Sequence, residues 1–306
     1  MKRLTLENTR FIALREGYQA WLATMGYSES VVYYNPSYLN EFLYFLEQHQ
    51  ITSIENVDNE IIQTYLEYLK HRKNIRRKGF ISNTSLNSRI YVLEQFSQYL
   101  CKEFSLIIPI KIKRLAVQNR QRDILTQPEI EQLYQATESD YLGIRDRATL
   151  SLFYGCGLRS SEGIRLEIND ILFERKLIHV RRTKNRRDRL VPMTETIKND
   201  LQNYLLYSRP YLAKKRTENV RSGNPFLVSR RGHRPNGDGL RYRLLKLIET
   251  AHIELSGRAI GLHSLRHSIA THFLQKGMKL EDIRQFLGHL SLESTQIYTH
   301  IAHEIQ

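Results

Sequence analysis

At 306 residues the chain is long enough for two domains with full cores, and 41% hydrophobic with 25% charged residues is ordinary for a globular protein and excludes a disordered one. A net charge of +14 and a pI near 9.7 point to a polyanionic partner. Nucleic acid fits better than an anionic membrane, because no run approaches the ~18 apolar residues of a membrane span.

The N-terminus MKRLTLENTR turns polar after its basic residues and is not a secretory signal. Residues 1 to about 105 read as four helices. The first, about Phe11 to Met25, presents Phe11, Leu14, Tyr18, Trp21 and Leu22; the second, about Glu29 to Gln48, presents Tyr38, Leu39, Phe42, Leu43 and Phe45. Pro36 is expected to interrupt or kink the second near its start. A third runs from about Asn59 to Tyr68, and a fourth follows the capping pair Asn83 and Thr84. Between them lies the basic loop HRKNIRRKG, which reads either as a solvated charged surface or, with the large net charge in view, as a phosphate contact through Arg72, Lys73, Arg76, Arg77 and Lys78. Residues 105–122 break the helical pattern and read as an extended basic linker whose Lys111, Lys113 and Arg114 are placed to lie along a nucleic acid.

A second domain opens at Thr126–Glu129 with a capping box and Pro128 in the first turn. Helices to about Ala136 and from about Tyr141 to Tyr154 follow, then GCGLRSSEGIRL, where Arg159 and Glu162 stand three apart. They read either as a surface ion pair or as a guanidinium held in shape by an acceptor. Residues 176–182 and 189–193 alternate as a β-hairpin with Lys184 in its turn, a position that more often means simple exposure than chemistry. A helix from about Glu195 to Tyr207, a short strand FLVS and a helix from Gly239 to Ile253 complete the middle of the chain. Cys101 and Cys156 sit in apolar settings that suit buried thiols of a reducing cytosol, and their spacing builds no zinc site.

The C-terminal stretch GLHSLRHSIATHFLQKGMKLEDIRQFLGHLSLESTQIYTH is the most informative. His263 and Arg266 share one face of a helix. Leu280 to Leu287 reads as a second amphipathic helix, closed by Gly288 as a left-handed cap with His289 on the corner beyond. Tyr298 follows in a segment that reads as either a short helix or a mobile tail. One guanidinium and two imidazoles suit a tetrahedral phosphorus oxyanion, and a transition state with extra negative charge demands a second cation, for which Arg159 is the candidate.

In order along the chain, GLRSSE (157–162), TKNRRDRLVP (183–192), HSLRH (263–267), LGH (287–289) and TQIYTH (295–300) resemble the motifs of the tyrosine recombinases of the phage integrase and Xer type. The hairpin motif departs from the family form in replacing two glycines by Thr183 and Asn185.

The resemblance implies a mainly α fold with a small β-hairpin or sheet, arranged as a two-domain DNA clamp. A helical core-binding (SAM-like) domain over 1–108 and a basic linker over 109–123 would precede an α+β catalytic domain over 124–306. It implies Tyr298 as nucleophile, forming a 3′-phosphotyrosyl link and freeing a 5′-hydroxyl. Arg159 and Arg266 would grip the phosphate, Lys184 protonate the leaving oxygen, His263 assist proton movement, His289 hydrogen-bond a nonbridging oxygen, and Glu162 support the set. No metal or other cofactor is expected, since paired guanidiniums supply the charge that paired cations supply elsewhere.

The implied partner is double-stranded DNA with inverted-repeat core sites, bound by a homotetramer on two duplexes and a four-way junction. The free protein is expected as a monomer or weak associate in the cytoplasm, associated with the nucleoid and not with a membrane. No arm-binding domain is expected before the helical one, and the short stretch after Tyr298 leaves the coupling between protomers open. Integration or excision of a mobile element, DNA inversion and chromosome dimer resolution stay open as roles. A non-catalytic DNA-binding regulator and a type IB topoisomerase are the alternatives.

Overall fold

The computed structural model describes residues 4–72, 79–117, 123–181, 188–214 and 223–288. The chain divides into two compact units, Met1–Asn119 and Arg120–Gln306.

The first unit is built from four helices: α1 (Thr9–Thr24), α2 (Glu29–Gln48), α3 (Asn59–His71) and α4 (Asn83–Phe104). Each starts where a short polar side chain can satisfy an orphan backbone N–H: Asn8, Ser28, Asp58 and Ser82. The cap of α4 is therefore Ser82, one residue before the expected pair, and Asn83 instead donates to the Ala116 carbonyl at 2.8 Å. Helix α2 runs through Pro36 without the expected interruption. The proline forfeits one hydrogen bond, to the Val32 carbonyl, while Leu39, Phe42, Leu43, Phe45 and Leu46 bury the turns that follow. Aromatic rings fill the core, with Tyr18 edge-on to Phe96 at 5.6 Å and Phe42 to Tyr65 at 5.0 Å. Cys101, expected to be buried, is exposed, because it falls on the outer side of the last turn of α4.

Residues 105–117 carry neither helix nor strand but belong to the first unit. Ile108 is buried, Ile110, Ile112 and Leu115 pack on the helical core, and Asn87 takes both backbone groups of Leu115 through its amide, at 2.8 and 2.9 Å. An isoleucine at every second position is what lets an irregular strand of chain lie on a helix surface.

The second unit begins with α5 (Gln127–Gln135), whose capping box of Thr126 and Glu129 is formed in both directions. Helix α6 (Tyr141–Leu150) continues as a π-helical turn over Ser151–Gly155. Then come α7 (Ser160–Arg165), β1 (Ile171–Leu172), β2 (Leu177–Val180) and β3 (Arg189–Pro192), forming a small antiparallel sheet in that order with Ile178 opposite Val191 and Val180 opposite Arg189. The hairpin stem matches the alternation in the sequence; the two-residue β1 is too short to have shown there.

Helix α8 (Glu195–Asn203) passes through a second π-helical turn (Tyr204–Ser208) into α9 (Arg209–Ala213), and α10 (Gly237–Thr250), α11 (Leu262–Gln275) and α12 (Leu280–Leu287) complete the described part. The segment FLVS is not a strand. Phe226, Leu227 and Val228 are buried, but their backbone bonds go to the Leu166 carbonyl and the Tyr204 hydroxyl instead of to a neighbouring strand. No described helix is long and apolar enough to cross a membrane.

Candidate active site

The site grows out of the π-helical turn that ends α6. After it, Gly157 adopts a left-handed conformation (φ +59°), and the chain turns so that Arg159 caps α7 and Glu162 lies in its first turn. Glu162 Oε2 accepts the Arg159 backbone N–H at 2.9 Å, and Oε1 accepts Arg159 Nη1 at 2.9 Å. The pair is thus more than a surface contact: Glu162 is mostly buried and tied to the backbone that carries its partner.

From the other side, Arg266 projects from α11 into the interior and is 2% exposed. Its Nη1 donates to the Gly157 carbonyl at 2.5 Å and its Nη2 to the Leu287 carbonyl at 2.7 Å. Arg159 reaches the same place, with Nη1 3.5 Å from the Leu287 carbonyl and Nη2 3.1 Å from that of Gly288. The last carbonyls of α12 have no partner within their own helix and carry the negative end of its dipole. They therefore anchor both guanidiniums. Gly288 makes this possible by ending α12 in the left-handed conformation, φ 64° and ψ 49°.

A third guanidinium completes the cluster, one to which the hairpin motif by itself assigns no role. Arg189, at the start of β3, forks onto Glu162 with Nη1–Oε1 at 2.9 Å and Nη2–Oε2 at 2.8 Å. Its signal lay in strand alternation: Val191, on the same face, is fully buried, whereas Leu190 is exposed. Burial alone would raise the Glu162 carboxyl, but the bond to and charge of Arg189, together with Arg159, bring it down to about 2. Glu162 is thus an anion throughout the neutral range. With Arg266 Nη1 at 3.9 Å as well, three guanidiniums face one carboxylate, and the cluster keeps a positive surplus.

His263 is exposed on the first turn of α11, one helical turn before Arg266. The structure therefore brings together Arg159, Glu162 and Arg266, with His263 on the same helix as Arg266. Lys184, His289 and Tyr298 lie outside the described residues. His272 is a core histidine, 3.0 Å from the Tyr154 hydroxyl, and burial pushes it down to about 4. Burial likewise pushes the Cys156 thiol up to about 12, which removes it as a nucleophile. Among the described residues no group of three or more His, Cys, Asp or Glu could hold a metal ion.

Of the basic residues expected to meet nucleic acid, Arg72 turns inward to the buried Glu41, which also accepts Arg89 Nε at 2.8 Å. Lys111 and Lys113 are exposed. Arg114 is exposed too, bonded to Glu94 at 2.6 Å and lying over the Tyr91 ring. Lys73, Arg76, Arg77 and Lys78 fall outside the described residues.

Residues 123–304 match the model of the phage integrase family. The chain is similar to the tyrosine recombinase XerC of Pelotomaculum thermopropionicum, 32% identical over 84% of this chain and 81% of that protein. It is similar as well to XerC of Bacillus subtilis, 30% identical over 91% and 88%. Among solved structures, XerH bound to palindromic difH substrate in a post-cleavage complex superposes with a TM-score of 0.71 over 97% of this chain and 94% of that one, at 19% identity. At that identity the likeness speaks to the fold.

Proposed function

The chain belongs to the phage integrase family and is a site-specific tyrosine recombinase, and from that premise we propose that Tyr298 attacks a DNA phosphate gripped by Arg159 and Arg266. The observation that carries this reading is the convergence of the two guanidiniums on the final carbonyls of α12, immediately before His289.

A phenol with an ordinary pKa near ~10 is a weak nucleophile at neutral pH, so its proton must leave as the oxygen attacks. Fixed positive charge beside the phosphorus favours that step, because charge developing on the nonbridging oxygens meets donors already in place. The phenol oxygen bonds to phosphorus, the bond from phosphorus to the 5′-oxygen breaks, and a 3′-phosphotyrosyl link and a 5′-hydroxyl result. His263 assists the proton leaving Tyr298, Lys184 supplies the proton to the 5′-oxygen, and His289 donates to a nonbridging oxygen. The link retains the diester's energy, so a 5′-hydroxyl from a second duplex reverses the step on a new partner strand. Two such exchanges pass through a four-way junction on inverted-repeat core sites held by four protomers. Lys111 and Lys113 lie along the DNA backbone.

Two roles follow from this chemistry. Integration or excision of a mobile element, or DNA inversion, is the first. The breadth of the likeness to XerC proteins supports the second, resolution of chromosome dimers, with the protein working on the nucleoid. The test is a nicked suicide duplex carrying a core site enriched from a randomised inverted-repeat library. Wild-type protein is expected to form a covalent adduct at the 3′ side of the break, and Tyr298→Phe to bind the site without forming one. A wild-type protein that binds the enriched site and leaves it uncleaved overturns the reading.

A further inference from the structure

We propose that Arg189 is a positioning residue for strand cleavage: from β3 it locks the Glu162 carboxylate, and through that carboxylate it sets Arg159 and Arg266 for the scissile phosphate. The proposal rests on the recombinase reading above.

The geometry is specific. Val180 stands opposite Arg189 in the ladder, and the strand's alternation turns Arg189 inward with Val191, leaving its side chain 10% exposed. Both terminal nitrogens of the fork engage Glu162, one on each oxygen. The backbone N–H and Nη1 of Arg159 supply the other two direct bonds. A carboxylate offers about four acceptor positions, so Arg189 takes half of the capacity of Glu162 and completes it.

Two consequences follow. First, Arg159 and Glu162 are neighbours on one short helix, and a contact within one turn does not fix that turn against the rest of the unit. Arg189 supplies the tie to the sheet, as an independent element. Second, a saturated carboxylate does not compete with the phosphate for donors. With Arg189 removed, two acceptor positions open, and Arg266 Nη1 is 3.9 Å away. The carboxylate then draws Arg266 from its bond to the Gly157 carbonyl, and the guanidinium moves off its aim. A lysine cannot replace the fork, because one ammonium does not span both oxygens in plane.

The experiment compares single-turnover cleavage of the suicide duplex with DNA affinity, for wild type, Arg189→Gln, Arg189→Lys, Glu162→Gln and the Arg189→Gln/Glu162→Gln double variant. Arg189→Gln is expected to cleave about 100-fold more slowly, the scale of a displacement of about 1 Å at a reacting group. Arg189→Lys should recover about a tenth of the wild-type rate. The dissociation constant should stay within about threefold for both. The double variant should cleave no more slowly than Glu162→Gln alone, because the two residues act as one unit. Arg189→Gln should also lose more of its rate than wild type on acidification toward pH 5, as Glu162 loses the partner that holds it ionised.

If Arg189→Gln does not fold, judged by its urea midpoint, Arg189→Lys and its double variant with Glu162→Gln carry the same comparison. Wild-type cleavage rates in the Arg189 variants, or a double variant slowed by the product of the two single effects, overturn the proposal. A wild-type protein that forms no covalent adduct overturns the recombinase reading instead, so the two failures are told apart.

Discussion

Arg159 and Arg266, which stand in separate motifs, reach a single oxygen, the carbonyl of Leu287, at 3.5 and 2.7 Å. The end of α12 is thereby a structural part of the cation site. Its register is fixed by Gly288 in the left-handed conformation and by Leu287 and Ile283, both fully buried beside Ala270.

Gly157 is the weak point of this arrangement. A Cβ there would lie 2.9 Å from Leu287 Cδ2 and 3.0 Å from Phe286 Cε1, on a backbone at φ +59°. Gly157→Ala is expected to destabilise the fold by about 1–3 kcal/mol, from the left-handed conformation together with the crowding. It should also slow cleavage beyond that loss, because the side chains that must give way belong to the helix end holding both arginines. Urea unfolding and single-turnover cleavage below the unfolding transition separate the two effects; full cleavage in a destabilised variant would show that α12 tolerates the shift.

The ionisation of Glu162 sets a pH dependence. Its folded-state value of about 2 lies below the ordinary 4.5, so the stabilisation is complete above pH 4.5 and is lost as pH falls toward 2. The shift corresponds to something on the order of 3 kcal/mol. Glu162→Gln should therefore be less stable than wild type at pH 7, by roughly 3–5 kcal/mol for a broken buried pair. That gap should narrow on acidification below pH 4.5. An equal gap at pH 7 and pH 3, in urea titrations, would contradict this assignment.

In the helical unit, Arg72 and Lys113 should separate cleanly. Lys113 is exposed, and Lys113→Ala should lower the slope of log affinity against log salt by about 1, the mark of one lost phosphate contact. Arg72 is committed to Glu41, which is 2% exposed. Arg72→Ala should lower the urea midpoint and leave the salt slope unchanged. The opposite pattern would show Arg72 facing the DNA and Lys113 idle.

Much of this was legible in the sequence because the signals are local. Helix α2 starts and stops as read, the capping box of α5 forms as read, and Gly288 closes α12 in the conformation its position requires. What escaped depends on partners distant in the chain. FLVS has strand composition, yet its backbone is satisfied by a tyrosine hydroxyl and a loop carbonyl. Pro36 carries a breaker's signature, yet core packing around it keeps the helix whole. Arg189 keeps its place in the hairpin motif of 183–192, but the motif does not name its partner, and only the fold sets it against Glu162.

The claim on which everything rests is that Arg159 and Arg266 act on one phosphate. Single-turnover cleavage of the suicide duplex by Arg159→Ala and by Arg266→Ala, with affinity measured in parallel, addresses it most directly. Each variant is expected to cleave at least about 100- to 1,000-fold more slowly, the range for removing one preorganised donor, with DNA binding reduced far less. Cleavage within tenfold of wild type in either variant would contradict it.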